Sequence, residues 1–161
     1  RGIRRNGRLV VAKYGRLVGI DVGTKWIGLA RTDLLKTVAN PIGTYHSKDV
    51  FDKLQELVDE ENIEMFVVGW PLTPEGEEGR AINMVEKFLT ELNAKVPDID
   101  VEKIDERYTT KEAVRALVEA SVPKMKRRES YRINQAAAAI ILQKYIERAE
   151  ANNVRITDRY V

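Results

Sequence analysis

Cysteine is absent from the 161 residues, and histidine occurs once, at His46. Without thiols the chain forms neither disulfides nor thiolate metal sites, which fits a reducing cytoplasm as its expected location. One imidazole cannot build a histidine metal site, so any metal must rest on carboxylates and be a hard ion such as Mg2+ or Mn2+. No apolar run approaches the roughly 20 residues that span a bilayer, so no membrane partner is expected. Acids are missing from residues 1–16, which hold Arg1, Arg4, Arg5, Arg8, Lys13 and Arg16. That leaves 21 basic against 25 acidic residues in 17–161, a net of −4 beneath an overall charge of +2.

What is present is an ordinary globular composition, 43% hydrophobic and 32% charged, with no internal repeat or low-complexity tract. The length suits one domain with a real core. We expect a basic arm over 1–16, a single domain over 17–151 and a short tail over 152–161. The arm could bind a polyanion; a solvated tail or an expression-derived remnant is the plainer expectation, as the chain has no initiating Met.

The segments "RLVGIDV" and "WIGLART" read as two apolar strands joined by a tight "GTK" turn. A third strand comes from "TVANPIGTY", with Pro41 marking an edge or bulge. Ser47 is expected to cap a helix carrying Phe51, Leu54, Leu57 and Val58 at helical spacing. The continuous apolar run "IEMFVVGW" is typical of a strand buried on both faces. A second helix, from about Arg80 to Lys95, places Ile82, Val85, Leu89 and Leu92 on one stripe. A fifth strand, "IDVEKI", ends at "DERYTT", where Thr109 and Glu112 form a capping-box pattern for a third helix. The Ala-rich run "YRINQAAAAIILQKYIERAE" is a long final helix. This order predicts an α/β fold with a mixed sheet carrying helices on its faces and a site at the carboxyl ends of its central strands.

Asp21 is the anomaly in this pattern. A carboxylate inside an apolar strand costs several kcal/mol unless paired or bound to metal, so its presence argues for a ligand role. A structural role, bonding the amides of the next turn, is the alternative. Gly23 lets the amides of Thr24 and Lys25 face a phosphate that the lysine neutralises, although a plain hairpin turn explains "GTK" equally well. Asp105 and Glu106 follow one another at a strand end and point to opposite faces, so only one joins Asp21 readily. Arg107 then pairs with the other acid or contacts a phosphate. Lys124, Lys126, Arg127, Arg128 and Arg132 stand against the single acid Glu129, the composition that binding a nucleic-acid backbone needs, although a solvated charge run explains it equally well. Trp70 and Tyr108 flank the candidate site as bases-stacking or packing aromatics.

Taken in order, "GIDVGTKWIGLA", "FVVGWPLTPEGEEG", "DERYTT", "VPKMKRRESYRIN" and "AAAAIILQKYI" resemble the YqgF (RuvX) family of pre-16S rRNA nucleases, also described as Holliday junction resolvase-like, over about residues 17–148. The resemblance implies an RNase H-like five-stranded mixed sheet flanked by helices, and a divalent-metal nuclease maturing the 5′ end of pre-16S rRNA in ribosome biogenesis. It implies catalysis by Asp21 and Glu106, which also hold the metal, with Asn134 where the family usually carries a third acid. An amide offers one neutral oxygen and no charge, which weakens metal binding. Two other readings follow: a Holliday junction DNA endonuclease, and a nucleic-acid-binding protein impaired in catalysis. The implied partners are precursor rRNA or branched DNA, with a homodimer as an admissible assembly. "GIDVGTK" also resembles the phosphate-binding opening of actin-like kinases, but those need two lobes and this chain supplies one.

Overall fold

The computed structural model describes residues 3–5, 8–10, 14–72, 75, 79–107, 109–120 and 130–151. Seven strands and four helices lie within them: β1 Ile3–Arg5, β2 Arg8–Val10, β3 Arg16–Val22, β4 Trp26–Thr32, β5 Ala39–His46, α1 Val50–Glu60, β6 Ile63–Trp70, α2 Ala81–Lys95, β7 Asp100–Asp105, α3 Thr109–Glu119 and α4 Ser130–Ala151. β1 and β2 form an antiparallel ribbon of their own.

The main sheet runs β5-β4-β3-β6-β7. β3, β4 and β5 are antiparallel neighbours, and β3, β6 and β7 pair in parallel, so the sheet is mixed as the element order predicts. Pro41, which lacks an amide proton, sits on edge strand β5 where the register slips between Leu29 and Ala30.

Side-chain alternation divides the core in two. Val18, Ile20 and Val22 of β3 join Phe66 and Val68 of β6 in a cluster with Phe51 and Leu54 of α1 and Val85, Phe88 and Leu92 of α2. Their neighbours Leu17, Met65 and Val67 face the other way and pack with Ile104, Ala138, Ile141 and Leu142. β3 and β6 are therefore apolar on both faces, which is why they read as continuous runs.

Helix α4 lies unusually close to the sheet because glycines leave it room. A Cβ on Gly19 would stand 2.7 Å from the Ala138 carbonyl oxygen, and one on Gly28 would collide with the Asn134 backbone. The alanines of α4 complete this contact with small side chains. The position of Asn134 is thereby tied to β4.

Two expected caps are corrected. Ser47 does not cap α1: the helix begins at Val50 after Asp49, whose side chain makes no cap bond. The intervening turn is organised by His46, whose Nδ1 accepts from the Lys48 amide at 3.1 Å and whose carbonyl accepts from the Asp49 amide at 2.8 Å. Thr109 is already helical, and its hydroxyl donates to the Glu106 carbonyl at 2.6 Å instead of capping α3. Glu112 pairs with Lys144 of α4 at 2.8 Å, away from any capping box. In α2 the central buried position falls to Phe88, with Leu89 partly buried beside it. No helix of the described residues is long and apolar enough to cross a membrane.

Candidate active site and its acidic pair

Asp21 shares its face of β3 with Leu17 and Gly19, so it points toward α4 from the carboxyl end of the strand. Glu106 lies just beyond β7 and has the parity of Ile104, which faces the same way. β6 runs between the two strands, so the acids start some two strand spacings apart, about 10 Å. Gly69 removes the obstacle. A Cβ there would stand 2.5 Å from Glu106 Oε2, so only a bare backbone lets the glutamate lean across β6 toward Asp21.

The two carboxyls meet in a side-chain hydrogen bond that Glu106 donates and Asp21 accepts. Burial is the largest influence on both groups and opposes charge. It pushes Asp21 up to about 6, with the bond from Glu106 pulling back. Glu106 is pushed up to about 9, by burial first, then by the negative field of Asp21, the shared bond and the charge of Asp105. At neutral pH the pair therefore holds one proton and a single negative charge.

Asp105 takes the opposite parity and stays out of the pair. Its Oδ2 accepts from Arg107 Nε at 2.7 Å, and its Oδ1 accepts from the Arg107 amide at 3.0 Å. These bonds hold the Asp105 carboxyl below the usual carboxylate range. Of the two roles open to Arg107, pairing with the second acid is the one observed.

Asp21, Glu106, Arg107, Thr109 and Asn134 line one open cleft of about 360 Å3, together with Pro71, Leu72 and Met84. The Asn134 Nδ2 donates to the Trp26 carbonyl at 3.3 Å, which leaves Oδ1 as its only atom suited to a cation. Among the described residues no three His, Asp or Glu side chains gather at metal-binding distance. The donor set is thus two carboxylates and an amide oxygen, all hard oxygen ligands and short of one acid.

The remaining candidates are dispersed. Thr24 and Lys25 sit exposed on the β3–β4 turn, outside the lining of this cleft, with Lys25 Nζ 5.6 Å from the Trp26 ring centroid. Trp70 packs against the core beneath α1 and α2 under Lys103, whose Nζ is 4.0 Å from its ring centroid. Arg132 is half-buried on the first turn of α4. Lys124, Lys126, Arg127, Arg128 and Tyr108 lie outside the described residues. Thr109 and Gly69 are the contributors that sequence reasoning passed over. Gly69, between a buried valine and a tryptophan at a strand end, was the visible signal for close approach.

A five-stranded mixed sheet of this order, flanked by helices, is an RNase H-like fold, and both acids sit at the carboxyl ends of its strands. The chain belongs to the RuvX family: the profile described as Holliday junction resolvase matches residues 15–148. A relative from Salinibacter ruber, provisionally named pre-16S rRNA nuclease, is 44% identical over 86% of this chain and 96% of its own. Relatives with the same provisional name from Chlorobaculum tepidum and Porphyromonas gingivalis are each 36% identical, over 84% and 83% of this chain and 96% of their own. The fold is similar to that of T. thermophilus RuvC solved with a Holliday junction substrate, at TM-score 0.50 and 15% identity, covering 88% of this chain and 98% of that one.

Proposed function

We propose that this chain is a divalent-metal-dependent nuclease of the cytoplasm that cuts precursor 16S rRNA, with Asp21 and Glu106 as its catalytic and metal-holding pair. The observation that carries the proposal is the convergence of Asp21, Glu106 and Asn134 on one cleft, with Glu106 leaning over the bare backbone of Gly69; a cation there would offset the burial that disfavours charge on both carboxyls. Their oxygens and that of Asn134 fit Mg2+ or Mn2+. Bound there, the ion supplies Lewis acidity that activates water and offsets charge on the phosphoryl oxygens.

The chain's own groups do the rest. Asp21, fixed in the β3–β4 ladder opposite Gly28, sets the position of the pair. Thr109 anchors the first turn of α3 to the Glu106 carbonyl and so steadies the backbone that carries the second acid. Water attacks phosphorus in line, the P–O bond to the leaving oxygen breaks, and that oxygen takes up a proton. Arg132 and the basic residues Lys124, Lys126, Arg127 and Arg128 hold the RNA backbone, with Thr24 and Lys25 of the β3–β4 turn contributing, while Arg107 stays paired with Asp105. Precursor rRNA as substrate, and a homodimer as the assembly, rest on family likeness.

The test is cleavage of an end-labelled precursor 16S rRNA fragment with Mn2+ or Mg2+, alongside the Asp21→Asn variant and a four-way DNA junction. Metal-dependent RNA cutting that the variant loses is the expected result. Cutting confined to the DNA junction would reassign the substrate. Asn134 favours a second reading, a nucleic-acid-binding protein impaired in hydrolysis. Tight RNA binding without cutting by either protein would select it.

A further inference from the structure

A second cleft, also of about 360 Å3, opens on the other face of the β3–β4 turn, between α1 and α2. Its cations are Lys48, from the turn before α1, and Lys87 and Lys95 of α2; its hydroxyls are those of Thr24 and Ser47. Among the described residues neither Lys48 nor Lys87 is paired with a carboxylate. Lys95 Nζ stands 3.8 Å from Glu91 Oε2, the one acid in the lining, and 4.6 Å from the Phe51 ring centroid. The floor is apolar, formed by Val22, Ile27, Phe51 and Phe88.

The two clefts are neighbours. Val22 and Met84 line both, so the cleft holding Asp21 and Glu106 passes over Met84 into the lysine-lined one. Along α2, Met84, Lys87, Glu91 and Lys95 recur at spacings of three and four and form one stripe about 16 Å long. A solvated lysine face needs no apolar floor and no continuity with buried carboxyls. A nucleic-acid strand uses lysines and an apolar floor together, since its phosphates seek cations while its sugars and bases seek apolar surface, and the shared Val22 and Met84 let one strand run from one cleft into the other.

We propose that this second cleft is a track for a single RNA strand flanking the scissile phosphate, with Lys48, Lys87 and Lys95 holding its backbone. This rests on the nuclease reading above and adds the path by which substrate leaves the acidic pair. The size favours one strand, since about 360 Å3 lies near the small end of ligand clefts, roughly 300 to 1,000 Å3.

The test is fluorescence anisotropy in chelator, where no strand is cut, with single-stranded RNAs of about 4 and about 12 nucleotides between about 50 and 200 mM salt. The variant carries Lys48→Ala, Lys87→Ala and Lys95→Ala together, and all three side chains are exposed, so the thermal midpoint is expected to hold. For the longer RNA, affinity falls about tenfold or more and the slope of log K against log salt drops by about two, at roughly 0.7 per phosphate. The short RNA is little affected. Equal affinity and slope for the variant and the unchanged chain would overturn the track, while cutting by the unchanged chain would leave the nuclease reading standing. Failure of the unchanged chain to bind the longer RNA would overturn the track, and the nuclease reading would fall with it only if that chain also fails to cut RNA when Mn2+ or Mg2+ is supplied. An equal loss on duplex DNA, without preference for RNA, would overturn the assignment to a single strand.

Discussion

The Asp21–Glu106 pair makes a pH-dependent stability at the scale of single residues. Folded, Glu106 keeps its proton to about 9; in the unfolded chain it releases it at its ordinary 4.5. The folded state therefore binds the extra proton across this window, and stability falls as pH rises through it, by up to about 1.4 kcal/mol per pH unit. Thermal melts in EDTA should show a lower midpoint at pH 9 than at pH 6, and Glu106→Gln, which carries no such proton, should flatten the trend. A profile identical in both proteins would contradict the shared proton. Asn134 yields the complementary expectation. Its Oδ1 contributes no charge, so Asn134→Asp should tighten Mn2+ binding and raise metal-dependent cleavage about tenfold or more, measured by titration and by turnover of the same RNA. Asp21 was legible in the sequence as a charge inside an apolar strand, strand parity allowed only one of Asp105 and Glu106 to join it, and the family resemblance singled out Glu106. The proton that Asp21 and Glu106 share was not legible, because it depends on the distance between residues 85 positions apart.

Two glycines at the scale of elements should fail in different ways. A methyl at Gly28 meets the backbone of α4 at Asn134 and Gln135, which cannot move without the helix. Gly28→Ala should therefore cost about 1–3 kcal/mol, seen as a lower denaturation midpoint. A methyl at Gly69 meets the ends of two side chains, Glu106 and Ile141, which can turn aside. Gly69→Ala should keep most of its stability and lose about 10- to 100-fold in metal affinity as Glu106 is pushed from Asp21. Comparable stability losses for the two variants would refute the distinction. The caps show where local pattern misleads. Ser47 and Thr109 have capping chemistry, yet His46 organises one turn and the Glu106 carbonyl takes the other hydroxyl. Local propensity is a weak prior when a tertiary partner competes for the same group.

Metal binding and folding are linked at the scale of the whole molecule, because the unfolded chain has no reason to hold Asp21 and Glu106 together. Mn2+ at about 100 times its dissociation constant should stabilise the fold by about 2.7 kcal/mol. A chain of this size then gains roughly 5–10 °C in thermal midpoint. EDTA should abolish the gain and Asp21→Asn should never show it; an equal gain in that variant would place the cation elsewhere.

The sequence by itself determined the mixed α/β sheet, the burial of β6 on both faces, and the opposite facing of Asp105 and Glu106, the last from the period of side chains along a strand. It also carried the odd amide at Asn134. Only the tertiary structure decided which distant groups meet. Lys36 and Glu64 are 2% and 1% exposed and attract one another inside the fold. Glu106 reaches Asp21 because the strand order puts Gly69 between them. Lys48 and Lys87 share a cleft because α1 and α2 pack side by side on the sheet. Periodicity specifies direction along one element, whereas proximity between elements arises from how the whole chain closes around its two cores.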